Sequence, residues 1–79
     1  MTHYRLRCAL GTVEVSLVDG TGVRPLQYEG DHEAVSIVQP HLEMTPTHRG
    51  LLGECCEEST LEQAMKHDWV RRFQPTPVQ

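Results

Sequence analysis

Long apolar runs are absent from this sequence, and aromatic residues are few. Aromatic residues make up 5% of the 79 residues and hydrophobic residues 38%. No stretch approaches the roughly 20 apolar residues that a membrane-spanning helix needs. The opening residues, MTHYRLRC, also lack the apolar segment of a signal peptide. We therefore expect a cytoplasmic protein that makes no contact with a membrane.

Positive charge is scarce, and it is carried almost entirely by arginine. Lys66 is the only lysine among seven basic residues, and the net charge is −4. Because general nucleic-acid binders are normally basic, this balance argues against direct binding of nucleic acid. Arginine favours protein interfaces through its planar pair of hydrogen-bond donors, although a GC-rich genome explains the same bias more simply.

The number and spacing of the three cysteines argue against a disulfide framework and against a zinc site. An odd number in a chain without an export signal indicates free thiols. Neighbours on a strand point to opposite faces, and the adjacent pair has no C-x₂₋₄-C spacing. We therefore predict no metal and no cofactor. The alternative is a thiol or metal-binding protein that uses Cys8, Cys55, Cys56 and the histidines His3, His32, His41, His48 and His67.

Recognisable catalytic motifs are also missing. The Gly20-Thr21-Gly22 segment lacks the lysine and the following helix of a phosphate-binding loop. None of the serines lies in a nucleophile elbow. His67 and Asp68 are neighbours on a predicted helix, where successive side chains point about 100° apart and cannot form a dyad. The sequence therefore predicts that the protein is not an enzyme.

Alternating apolar residues predict two strands in the first part of the chain, and a turn signal predicts a third after them. Residues 4–10 and 13–18 each place apolar side chains on one face, as in an antiparallel hairpin. Arg5 and Arg7 on the other face should lie near Glu14. A turn at 19–22 leads to a third strand over 23–28. Pro25 cannot donate a ladder hydrogen bond, so this strand should lie at a sheet edge.

Helical spacing predicts two helices in the second part. Asp31 is the expected N-cap of a helix that kinks or breaks at Pro40 and ends by residue 44. After a loop at 45–50, residues 51–57 should form a strand. Ser59 or Thr60 should cap a final helix that continues to residue 74, with Leu61 and Trp69 buried.

Together these elements predict an α+β fold with two layers. The expected order is βββαβα, in which a mostly antiparallel sheet has two helices packed on one face. Residues 1–74 should form a single small domain, and residues 75–79 a flexible C-terminal tail.

By elimination, the sequence favours a small, non-enzymatic protein-interaction module. Its size is typical of accessory or regulatory proteins, including those derived from phages and mobile elements. Its partner would be another protein, or a second copy bound through the sheet edge or outer face. The alternative is an acidic decoy that inhibits a nucleic-acid-binding protein. Candidate partner-binding residues are the charged side chains Arg5, Arg7, Glu14, Asp31, Glu33, Glu57, Glu58, Arg71 and Arg72.

Overall fold

A five-stranded antiparallel sheet with helices confirms the predicted α+β class. The structure is a computed structural model that describes residues 2–18, 22, 24–43, 50–53 and 55–78. Along the chain the elements are β1 (His3–Cys8), β2 (Gly11–Leu17), β3 (Arg24–Gly30), α1 (His32–Leu42), β4 (Cys55–Cys56), α2 (Glu58–Met65), α3 (Asp68–Arg71) and β5 (Thr76–Pro77). The strand order across the sheet is β4-β3-β2-β1-β5.

The first hairpin follows the predicted alternation. Tyr4 pairs with Val15 and Leu6 with Val13, and all four of these side chains are buried. Arg5, between Tyr4 and Leu6, points to the opposite face because side chains alternate along a strand. Apolar periodicity alone was therefore sufficient to locate this hairpin and its buried face.

β3 is not the outermost strand, and this corrects the prediction from Pro25. It pairs with β2 along one side, and on the other side Arg24 and Pro25 lie opposite Cys56 and Cys55. β4 has only these two cysteine residues, where a strand over 51–57 was predicted. The carbonyl oxygen of Pro25 accepts from the amide of Val18 at 3.0 Å, so the missing amide donor of the proline faces the chain just beyond the end of β2 and not β4.

The C-terminal residues include a short strand at the edge of the sheet, and the flexibility of residues 75–79 stays a prediction. Thr76 and Pro77 lie antiparallel to β1, opposite Arg5 and Tyr4. The amide of Val78 also donates to the carbonyl oxygen of His3, at 2.9 Å. The observed order is therefore βββαβααβ. The predicted order lacked this strand, and it also lacked a break within the last helix.

Asp31 joins the hairpin to α1. It takes the predicted N-cap position, but its side chain makes no capping hydrogen bond. Instead, its Oδ2 accepts from the amide of Thr12 at 3.0 Å, while its own amide donates to the Thr12 carbonyl oxygen at 3.2 Å. Gly11 has φ +136°, and a Cβ atom there would collide with the Asp31 carboxylate. Glycine is therefore required at this contact.

α1 continues through Pro40 to Leu42, so the predicted break does not occur. The residue four positions earlier is Ser36, whose carbonyl loses its helical donor at the proline. Ser36 is exposed, which lets water replace that donor. A kink at Pro40 stays a prediction.

α2 begins at least two residues earlier than predicted and without a side-chain cap. Glu57 occupies the N-cap, and neither Ser59 nor Thr60 caps the helix, because both lie inside its first turn. β4 ends at Cys56, so only one residue separates the strand from the helix. Leu61 is fully buried, as predicted.

One hydrophobic core combines residues from the sheet and from all three helices. Leu6, Val13 and Val15 of the sheet share it with Val38 of α1 and Leu61 of α2. The placement of both predicted helices on one face of the sheet stays a prediction. Most of the predicted turn at 19–22 and loop at 45–50 lies outside the described residues.

Candidate functional site

A break between α2 and α3 determines which aromatic and aliphatic side chains reach the surface. α2 ends at Met65, and His67 becomes the N-cap of α3, where its Nδ1 accepts from the amide of Trp69 at 3.2 Å. The side chains of α3 therefore point in other directions than they would in a continuous helix. Val70 is consequently fully buried, while Trp69 is 46% exposed. The prediction that Trp69 is buried is therefore wrong.

Trp69 contacts a residue that lines a shallow recess. Its ring packs against the His67 ring in a T-shaped contact, with 5.2 Å between the centroids. His67 also lines a recess of about 250 Å³. The other residues that line this recess are Leu51, Leu52, Thr60, Gln63 and Ala64. We call Trp69 and the lining of this recess the Trp69 surface.

The wall of this recess is held by backbone contacts to the end of α1. The amide of Leu52 donates to the carbonyl oxygen of Leu42 at 2.6 Å, and the amide of Leu51 donates to the carbonyl oxygen of His41 at 3.2 Å. Both leucines are partly buried against the core. The recess is therefore preformed and keeps apolar groups near solvent.

Arg71 and Arg72, both predicted as partner-binding residues, lie on or beside α3 and are exposed. Arg72 Nε donates to the carbonyl oxygen of Trp69 at 3.1 Å, and its guanidinium carbon lies 5.9 Å from the centre of the Phe73 ring. Arg71 instead lines a separate groove with Lys66. The two arginines therefore differ in their surroundings although they are adjacent in sequence.

The outer face of the hairpin brings two of its three predicted residues together. Arg5 lies opposite Glu14, with 3.7 Å between Nη2 and Oε2. His3 Nε2 approaches the other carboxylate oxygen of Glu14 to 2.7 Å. Arg7 lies opposite Thr12 and is exposed. Such exposed pairs contribute about 0–1 kcal/mol each, so this cluster is sufficiently explained as a surface of the sheet.

The predicted acidic residues do not form one surface. Asp31 and Glu33 follow the end of β3 at Gly30, whereas Glu57 and Glu58 follow Cys56, which lies opposite Arg24 at the other end. The two ends of β3 are about 20 Å apart. Glu58 also approaches Arg24, with 3.8 Å between Oε2 and Nη2. The acidic-decoy interpretation therefore lacks the single large patch on which it depended.

The cysteines are likewise distributed over the sheet. Cys55 is exposed and Cys56 is buried, as the predicted alternation requires. Cys8 lies at the hairpin end of β1, opposite Gly11, and thus at the other end of the sheet. Within the described ranges, no group of three or more histidine, cysteine or acidic side chains could hold a metal ion. His48 lies outside those ranges.

From the sequence, His67, Leu51 and Leu52 were not predicted as partner-binding residues. A signal for the helix break was present in the His67-Asp68 pair. Asp68 is an acidic residue in the first turn of α3, the position that the helix dipole favours. The two leucines lie in a segment that was assigned to a strand, so a recess beside them had no pattern that could reveal it.

The chain matches no protein-family model, no curated protein and no solved structure. None of the helices in the described part of the chain is long and apolar enough to cross a membrane.

Proposed function

We propose that this chain is a small, non-enzymatic module that binds another protein through the Trp69 surface. The observation that carries the proposal is the 46% exposure of the only tryptophan, which contacts His67 at a preformed recess lined in part by leucines. Tryptophan and arginine are the residues most enriched at the energetic centres of interfaces. Arg72 fixes the carbonyl group of Trp69 and adds a donor-rich side chain at the border of this surface.

The exposed position of Trp69 forgoes stability that the indole would contribute in the core, and nothing in the fold explains this loss. A tryptophan that packs in the core stabilises a small domain, whereas an exposed indole leaves apolar area in water. In α3 the core position is occupied by Val70, so Trp69 contributes little to the interior. Partner binding supplies a reason for a large aromatic residue at this place.

The non-enzymatic part of the proposal is supported by where titratable groups are perturbed. Burial is the largest cause of the raised pKa of Tyr4, Tyr28 and Cys56. None of these three side chains lines the recess beside Trp69. Their perturbation is thus explained by burial in the core, and catalytic tuning is not needed.

The test compares protein capture by the wild type with capture by two variants that each remove one exposed apolar side chain. Trp69→Ala should lose a partner captured from the native host, while Leu10→Ala should retain it. Leu10 is the matched control because it is 50% exposed at the hairpin turn. A photo-crosslinking residue at position 69 should attach to the same partner. If both variants capture the same proteins as the wild type, the proposal is wrong.

Two further variants test the charged surfaces predicted from the sequence. Reversal of Arg5 and Arg7 to glutamate alters the outer face of the hairpin, and reversal of Glu57 and Glu58 to lysine alters the start of α2. Partner loss in either of these variants, but not in Trp69→Ala, would move the interface away from the Trp69 surface.

A further inference from the structure

A second groove lies between the end of α2 and the C-terminal segment. It has a volume of about 580 Å³ and is lined by Met65, Lys66, Arg71, Gln74 and Pro75. A smaller depression of about 270 Å³ shares three of these residues and extends towards Tyr4, Glu62 and Pro77. We call the residues of the larger depression the basic groove.

The basic groove contains two cations that have no acidic partner among the described residues. In the described ranges, the side chains that form ion pairs with carboxylates are His3, Arg5 and Arg24. Lys66 and Arg71 are exposed and take part in none of these pairs. The groove therefore combines two cations outside these ion pairs, although the chain has a net charge of −4.

The walls of the groove are fixed before any ligand arrives. The amide of Lys66 donates to the carbonyl oxygen of Gln63 at 3.1 Å and caps the C-terminus of α2. Gln74 has φ +51°, and its amide donates to the Arg71 carbonyl oxygen at 2.9 Å. Pro75 then leads into β5, which is paired with β1. Such preorganisation lowers the entropic cost of binding.

We propose that the basic groove binds an acidic segment of the partner protein. Carboxylates of that segment would pair with Lys66 and Arg71, and an apolar side chain would cover Met65 and Pro75. Charge complementarity carries this assignment. Glu62 in the adjoining depression would lie beside a long polyanion such as nucleic acid, whereas a short acidic segment can stay within the larger groove. The inference rests on the proposed function, since it gives the chemistry of the partner.

The experiment titrates the 79-residue chain with a blocked peptide of four glutamates around one leucine and follows backbone amide signals by NMR. Saturable shifts should be centred on Met65, Lys66, Arg71 and Gln74. Reversal of both Lys66 and Arg71 to glutamate should weaken binding by about tenfold or more, since each exposed ion pair contributes up to about 1 kcal/mol. Thermal melting of the double variant shows that the fold is retained.

Arg7→Glu is the matched control, because Arg7 is an exposed arginine without an ion-pair partner in the described ranges. Arg71→Glu should weaken peptide binding by about three- to fivefold and Arg7→Glu by less than about twofold. Equal weakening by both, shifts scattered over the surface, or no shift at millimolar peptide would overturn the inference. So would tighter binding at the same residues by inorganic phosphate or a thymidine oligonucleotide.

Partner capture separates this inference from the function on which it rests. If the double reversal at Lys66 and Arg71 retains a partner that Trp69→Ala loses, the Trp69 surface binds the partner and the acidic-segment inference fails. If Trp69→Ala retains every partner, the proposed function fails first, and peptide binding at the basic groove is judged from the NMR titration alone.

Discussion

The hydroxyl group of Tyr28 is buried without a hydrogen-bond partner in the described part of the chain. Its pKa is raised far above the ordinary value of tyrosine, first by burial and then by Glu43 and Cys56. A buried polar group without a partner costs about 1–3 kcal/mol because it has lost its bonds to water. The ring itself packs against the core, so the ring and its hydroxyl have opposite effects on stability.

Tyr28→Phe should therefore raise the free energy of unfolding by about 1 kcal/mol at neutral pH. The raised pKa favours the neutral phenol in the folded state. Because the unfolded state ionises first, the free energy of unfolding of the wild type is unaffected by this group below about pH 10, the ordinary pKa of tyrosine. It falls as the pH rises above that value. The variant should consequently lose less stability between pH 9 and pH 11, as measured by urea unfolding. A variant less stable than the wild type at neutral pH would show that the hydroxyl has a partner in solution.

The adjacent cysteines should differ in their reaction with a thiol reagent. Cys55 is exposed, whereas Cys56 is 5% exposed, and the pKa of Cys56 is raised, first by burial and then by Cys55, while Arg24 opposes the rise. Fewer thiolates and less access both slow the reaction. We expect Cys55 to react about tenfold faster or more in the native protein. The measurement uses Cys55→Ser and Cys56→Ser, each combined with Cys8→Ser, and equal native rates would contradict the strand geometry.

The break before α3 predicts unequal effects of two adjacent substitutions. Val70 is fully buried, so Val70→Ala should lower the free energy of unfolding by about 2 kcal/mol. Trp69→Ala removes the larger side chain but should lower it by less than about 1 kcal/mol, because the indole is nearly half exposed. Denaturant unfolding of the two variants measures the difference. The reverse order of stability would place Trp69 in the core and remove it from the proposed interface.

The break also shows where sequence analysis is sufficient and where it is not. Strands β1 and β2 could be predicted because alternation over six or seven residues defines both the strand and its buried face, whereas β3 was predicted from the turn before it. A two-residue strand such as β4 or β5 has no periodicity to detect. Leu61, Met65 and Trp69 have the spacing of one helical face, so a continuous helix was expected. The cap at His67 shifts the buried face by one residue. Val70 therefore takes the core position, and Trp69 becomes part of the candidate site.

The two edges of the sheet are protected by different means. β1 is covered along its outer side by the C-terminal segment. The backbone amide of Arg7 donates to the carbonyl oxygen of Phe73 at 2.6 Å, and the amide of Val78 donates to the carbonyl oxygen of His3 at 2.9 Å. Two prolines in this segment, Pro75 and Pro77, lack amide donors and therefore discourage the addition of a further strand. On the other side, β4 covers only the beginning of β3. Pairing of two copies through a sheet edge, which the sequence suggested, is thus disfavoured at β1.

Truncation after residue 74 tests whether the C-terminal segment is a tail or part of the sheet. The chain 1–74 is the domain that the sequence predicted, yet it lacks β5 and the bond from Val78 to His3. It should lose about 1–2 kcal/mol of stability, since each backbone hydrogen bond contributes about 0.5–1.5 kcal/mol net. The uncovered edge of β1 should also promote self-association, visible as a concentration-dependent sedimentation coefficient. Removal of Gln79 alone is the control and should leave both properties unchanged. A truncated chain that melts within about 2 °C of the wild type and stays monomeric would support the prediction of a flexible tail.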